Sequence, residues 1–251
     1  MRFKIILTGA PSSGKTTTLN ALREKLKDDK KYHFVEEVAT RYIEEEQKAG
    51  HDPFKDIVKL EEIVMARQIK EEDAVNEEDS CSILDRSLID DVAITLSIKK
   101  RTEENDIKQK LDQVVGKMKD AAKTRNYNLV FILERLPLVN TKYRLETEDE
   151  AKAQYDAIKE TYSEFHKELG YTVISVPSRT SNDPQGEIIS VEKRVEFICN
   201  KIQQFQLTSL QRMSVTPDAP LRLFEKSSPR SLASNTLISG ATSNNTITKP
   251  F

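Results

Sequence analysis

Apolar residues in this chain occur in two regular patterns that take turns. Residues 3–8, 32–37, 81–85, 129–133 and 171–177 are short runs rich in β-branched and aromatic side chains, which predicts five strands. Between them, residues 15–27, 38–47, 56–76, 87–99, 104–124, 148–169 and a last segment from 190 onward read as helices. In the segment 56–76, Ile57, Leu60, Ile63, Val64, Ala66 and Ile69 recur with helical period while Glu, Lys and Arg fill the other face. The last segment lines up Val191, Val195, Ile198, Ile202 and Phe205 in the same way. Gly50, Pro53 and Gly170 stand where helices should stop. Ser190 opens the last helix in a capping box weakened by Lys193, where glutamate is favoured. Strands alternating with helices predict an α/β fold with a five-stranded parallel sheet and right-handed crossovers.

Beyond about Leu210 the pattern stops and Ser, Thr and Asn take over. Two segments follow: a folded domain at 1–207 and a Ser/Thr/Asn-rich tail at 208–251 that is expected to be disordered, because it has too little apolar surface to bury. The tail is either passive or a docking segment, with Leu221, Leu223 and Phe224 beside Lys226, so a protein partner through residues 212–251 stays open. A net charge of −2 makes neither nucleic acid nor a membrane surface an obligatory partner. Cys81 and Cys199 lack metal-ligand spacing and read as buried thiols of a reducing compartment. With no apolar run near the roughly eighteen residues of a membrane span, and a strand at the very start, a cytoplasmic protein is expected.

The first strand runs into Gly9-Ala10-Pro11-Ser12-Ser13-Gly14-Lys15-Thr16, and a helix follows. This is the spacing of a phosphate-binding loop: the glycines allow the backbone to curl with its N–H groups inward, and the helix opening at Gly14 adds its positive end. Lys15 is placed to reach the β- and γ-phosphates, and the Thr16 hydroxyl to ligate Mg²⁺. The third strand ends in Asp85-Arg86, the form of a metal-supporting Walker B carboxylate next to a phosphate- or substrate-binding arginine. The alternative for Asp85 is a cap on the next helix.

Glu37, after the second strand, is the candidate for binding the acceptor or serving as its base, and the alternative is a surface glutamate. Only one of Glu36 and Glu37 can face the site, because neighbouring strand residues point to opposite faces. Arg41 lies one helical turn further on and is a weaker candidate for the same pocket. Arg135 and Arg144 flank the loop after the fourth strand, where a lid would close over the phosphates. His33, His51 and His166 show neither metal-ligand nor triad spacing.

Taken in order, GAPSSGKTT, VEEVATRYI, ARQI, LDRSLIDDVA, YNLVFILERLPLV, YRLETEDEAKAQYDAI, YTVISVPS and VEKRVEFI resemble the P-loop kinase-like ATPases labelled AAA-domain proteins. Their relatives include the nicotinamide riboside kinase domain of bacterial NAD regulators, and the resemblance covers about residues 3–205. It implies a three-layer P-loop NTPase fold of adenylate or nucleoside kinase type. It further implies nucleotide binding by Gly14, Lys15, Thr16 and Thr17, metal support from Asp85 and a lid arginine at Arg144. Three features depart from the pattern: Thr40 stands where an arginine is expected, with Arg41 one step late; Arg135 stands where an uncharged residue is expected; and the loop between Ser178 and Ile189 is long.

Together these features read as a Mg²⁺-dependent phosphotransferase that moves the γ-phosphoryl group of ATP, with GTP as the alternative donor, to a small nucleoside- or nucleotide-like hydroxyl acceptor. Lys15, Asp85, Glu37, Arg86 and Arg144 would carry the chemistry. A second reading is an ATP- or GTP-dependent switch that engages a partner through its surface or tail. A third is a polynucleotide 5′-hydroxyl kinase, for which the overall charge gives no indication.

Overall fold

The structure, a computed structural model, describes residues 3–74, 80–136, 147–180 and 186–214, with side chains as far as Gln211. Five strands form one parallel sheet: β1 (Phe3–Gly9), β2 (Tyr32–Val35), β3 (Cys81–Asp85), β4 (Leu129–Leu133) and β5 (Thr172–Val176), in the order β2-β3-β1-β4-β5. The helices are α1 (Lys15–Leu26), α2 (Val38–Lys48), α3 (Ile57–Ala74), α4 (Leu88–Arg101), α5 (Asn105–Lys123), α6 (Glu148–Leu169) and α7 (Val191–Ser214), with a short 3₁₀ turn at Pro53–Lys55. This is the three-layer α/β architecture and the strand number expected from the sequence.

Period-two alternation sends side chains of the central strands to opposite faces. Phe3, Ile5 and Leu7 of β1, Ile83 of β3 and Phe131 of β4 pack with Leu19 and Leu22 of α1 and Ile198 and Ile202 of α7. Ile6, Leu84, Val130 and Ile132 face the other way, onto Val92 of α4, Met118 of α5 and Ile158 and Tyr162 of α6. A third, small cluster joins Tyr42 of α2 to Leu60 and Val64 of α3. Cys81 and Cys199 are free, buried thiols, as expected, and burial pushes Cys81 up to about 12.

Local signals set the helix ends. Thr147 and Glu150 cap α6 reciprocally, and Gly170 ends it in the left-handed conformation at φ 70°. Ser87 and Asp90 form the same box on α4. At α7 only the weak half of a box is present, Lys193 N–H donating to Ser190 Oγ at 3.4 Å. α7 also continues to Ser214, past the domain end expected at 207, so composition changes before the helix ends. Residues 215–251, the bulk of the expected tail, lie outside the described residues. Among the described residues no helix is long and apolar enough to cross a membrane.

One correction concerns β2, expected to run to residue 37. It ends at Val35, where its pairing with Leu84 of β3 stops, and Glu37 becomes the N-cap of α2. The chain turns there because only four residues of β2 find partners on β3.

The α3–α4–α5 layer also buries acids. Glu72 accepts from Gln68 Nε2 at 3.0 Å, Leu88 N–H at 3.1 Å and Tyr127 O–H at 2.8 Å, and pairs with Arg125 Nε at 3.3 Å. Glu61 accepts from Thr95 Oγ1 at 2.6 Å. Burial pushes Asp91 well above the usual carboxylate range, and the nearby charges of Asp90, Glu61 and Glu72 push it the same way. The folded state therefore keeps a proton that the unfolded chain releases near pH 4, and the contribution of Asp91 to stability falls as pH rises above that value. Urea unfolding at pH 5 and pH 8 should show Asp91→Asn losing less stability across that interval than the wild type.

Candidate functional site

β1 and β3 lie side by side with Leu7 opposite Asp85, so both strands deliver their carboxyl ends to one place. Ligands of open parallel sheets bind at such ends. From β1 the chain enters the loop 9–14, whose turn is closed by Ser13 N–H donating to Ala10 O at 3.1 Å. Ser12 and Gly14 take positive φ, 65° and 76°. Gly9 is required by contact: a Cβ there would lie 2.6 Å from Ser13 Oγ and 3.1 Å from Leu133 O. Thr18 N–H then bonds Gly14 O at 2.9 Å and starts α1. A cavity of about 170 Å³ lies over the loop, lined by residues 10–17 together with Glu37 and Arg86.

Lys15 is buried in this site between two carboxylates. Its ammonium donates to Glu37 Oε2 at 2.7 Å and to Asp85 Oδ1. Arg86 Nε holds the other oxygen of Glu37 at 2.8 Å, so Glu37 is clasped from both sides. Burial alone would raise the Glu37 carboxyl, but the adjacent Arg86 and Lys15 charges outweigh it and hold it down at about 2. Asp85 moves the opposite way: burial raises it more than Lys15 lowers it. The difference follows from the partners, since Glu37 has two cations in contact and Asp85 has one.

Arg86 adopts φ 72°, a left-handed conformation that costs a non-glycine residue on the order of 1–2 kcal/mol. Its surroundings hold it there. Arg86 N–H bonds Leu7 O at 3.2 Å, and its guanidinium reaches Glu37 and, at 3.5 Å, Asp90 Oδ1. Asp90 is itself fixed by the Thr8 hydroxyl, by Ser87 N–H at 2.9 Å and by Tyr162 O–H at 2.6 Å. A network from β1, α4 and α6 thus supports the arginine that faces the cavity.

Sequence-derived candidates divide accordingly. Gly9 to Thr17, Asp85, Glu37 and Arg86 come together at the end of β1 and β3. Glu37, and not Glu36, faces the site; Glu36 is exposed and pairs with Arg23 at 3.4 Å. Asp85 is not the cap of α4, since Ser87 is. Arg41 turns to Glu71 of α3 at 2.9 Å, and Arg135 to Glu148 at the start of α6. Arg144 lies outside the described residues. His51 pairs with Glu46 and His166 with the Tyr171 carbonyl, both away from the cavity. The sequence reading missed Asp90, Tyr162 and Thr8. The Ser87-x-x-Asp90 spacing of a capping box could have signalled Asp90, whereas nothing local marks Tyr162.

The profile of the AAA domain family matches residues 4–183, which is most of the chain. This chain belongs to the AAA domain family. The match takes in all five strands but for Phe3 at the start of β1, and ends before α7. No protein of curated description matches it by sequence.

Solved structures share the fold at low identity. The NadR protein in complex with NR aligns with a TM-score of 0.59 at 16% identity, over 81% of this chain and 51% of its own. Deoxyadenosine kinase from M. mycoides, solved with dCMP and dCDP, aligns with a TM-score of 0.55 at 16% identity, over 80% and 99%. Thymidylate kinase from Ehrlichia chaffeensis gives 0.50 at 13% identity, over 80% and 98%. The AAA domain therefore has a P-loop kinase-type fold and spans about half the length of the NadR chain.

The Glu37 clasp has a consequence for stability. A carboxyl lowered from 4.5 to about 2 gives stability that is complete above the unfolded value and is lost as pH falls through 2. At about 1.4 kcal/mol for each tenfold change in proton affinity, the contribution is on the order of 3 kcal/mol. Glu37→Gln should therefore unfold at lower urea concentration than the wild type at pH 7, and the difference should shrink toward pH 2.

Proposed function

We propose that this AAA domain is a Mg²⁺-dependent phosphotransferase that passes the γ-phosphoryl group of ATP to a small hydroxyl-bearing acceptor of nucleoside or nucleotide kind. The observation that carries this reading is Glu37. It is a buried-edge carboxylate at the mouth of the phosphate loop, joined to the phosphate-loop lysine on one side and to Arg86 on the other. A carboxylate held there would lie beside the terminal phosphate, where an acceptor hydroxyl would have to bind. The neighbours add support in kind, since they include a deoxyadenosine kinase, a thymidylate kinase and a NadR protein bound to NR.

In this reading the loop N–H groups and the start of α1 receive the phosphates, and Lys15 exchanges its carboxylate partners for phosphate oxygens. Glu37 then keeps Arg86, loses one cation and gains a neighbouring negative charge, so its proton affinity rises. A carboxylate released in this way orients the acceptor hydroxyl and takes its proton late, as a loose phosphoryl-transfer transition state requires. Arg86 stays to neutralise charge on the transferred group. Asp85 and the Thr16 hydroxyl supply oxygen donors suited to Mg²⁺. Among the described residues no cluster of three or more His, Cys, Asp or Glu could hold a metal. When bound, Mg²⁺ held by Asp85 and Thr16 would offset the charge of the phosphates.

ADP release from Mg·ATP, measured across nucleosides, nucleotides, nicotinamide riboside and 5′-hydroxyl oligonucleotides, tests the proposal. One acceptor should raise release well above the water background. Lys15→Ala and Asp85→Ala should abolish that increase, and Glu37→Gln should lower kcat by about 100-fold or more. Binding of ATP or GTP with no response to any acceptor would overturn the phosphotransferase reading in favour of a nucleotide-dependent switch.

A further inference from the structure

Arg194 lies in the first turn of α7, beyond the stretch that matches the family profile, and is only 3% exposed. It is absent from the lining of the phosphate cavity and instead lines a separate pocket with Val176, Pro177 and Phe197. Its Nη1 donates to the Ser13 carbonyl at 2.8 Å, and its Nη2 reaches the Ser178 carbonyl at 3.4 Å. The contact is close, since a Cβ added to Gly14 would lie 3.1 Å from Nη1.

The Ser13 carbonyl belongs to the peptide whose N–H is that of Gly14. In a trans peptide the C=O and N–H point in opposite directions. A carbonyl drawn outward onto a buried guanidinium therefore turns the Gly14 N–H inward, toward the cavity. The preceding carbonyl is caught too, Ser12 O accepting from Leu136 N–H at 3.2 Å. At the far end of the guanidinium, Ser178 is also anchored. Its N–H donates to Glu134 Oε2 at 3.2 Å, and its carbonyl also accepts from Ile189 N–H at 3.0 Å. Arg194 thus links the phosphate loop to the segment leaving β5, and Glu134 provides the negative charge near it.

We propose that Arg194 is a positioning residue of the phosphate site, fixing the Ser13–Gly14 peptide so that the Gly14 N–H faces a bound phosphate. It rests on the nucleotide-binding part of the function proposed above. A planar fork is required because one cation has to hold two carbonyls on different segments, which a lysine cannot do with the same geometry.

The test compares wild type, Arg194→Lys and Arg194→Met by calorimetry with Mg·ADP and with AMP, and by the ¹⁵N–¹H resonance of Gly14 in nucleotide-free protein. Mg·ADP affinity should fall by at least about tenfold in Arg194→Met and by an intermediate amount in Arg194→Lys, with AMP affinity changed less than about threefold. The Gly14 resonance should move in both variants. Should Arg194→Met fail to fold, Arg194→Lys carries the test, because it keeps the charge and loses the fork. Wild-type ADP affinity with an unmoved Gly14 resonance in either folded variant overturns the proposal, as does equal weakening of ADP and AMP. If the wild type binds no ADP, the nucleotide reading fails, and the Gly14 resonance still decides whether Arg194 sets the peptide.

Discussion

The parallel register of β1 between β3 and β4 is the constraint from which the site follows. Leu7 pairs with Asp85 on one side and with Phe131 on the other, so the ends of all three strands reach one edge of the sheet together. The loop after β1 and the Asp85-Arg86 step after β3 then have nowhere else to go. β1 can occupy the centre because its residues are buried on both faces, Ile5 and Leu7 on one and Ile6 on the other. A one-residue slip would exchange those faces and move Asp85 away from Lys15.

Charge is concentrated where the strands end. Lys15 and Arg86 face Glu37, Asp85 and Asp90 in a largely buried setting, where an unpaired ion would cost several kcal/mol. Each member is tolerated because the others are present. Under the proposed function, phosphate oxygens entering the loop would replace the carboxylates as partners of Lys15 without leaving the lysine bare. The left-handed backbone at Arg86 belongs to the same economy, its cost offset by bonds to Leu7, Glu37 and Asp90.

Support for the site comes from well outside it. Tyr162 of α6 reaches Asp90, and Arg194 of α7 reaches Ser13, so helices on opposite faces of the sheet brace the arginine and the phosphate loop respectively. Both contacts depend on buried side chains far from the loop in sequence, which makes the geometry of the cavity a property of the packed domain and not of the loop alone.

By itself the sequence determined the elements and the first half of the site. Period-two runs and helical repeats are local, and so are the phosphate-loop spacing and the Gly170 stop; each is written within a few residues of where it acts. Asp85 was legible because a strand end can be read from its own run of apolar residues. Other decisions needed tertiary structure. Whether Glu36 or Glu37 faces the cavity depends on where β2 loses its partner on β3, which is a property of two segments far apart in the chain. That Arg41 turns to Glu71, that Tyr162 holds Asp90 and that Arg194 grips Ser13 are contacts across many residues, and no local period records them. The strand order was likewise fixed by packing, because the alternation of strands and helices specifies parallel pairing but leaves open which strand lies next to which.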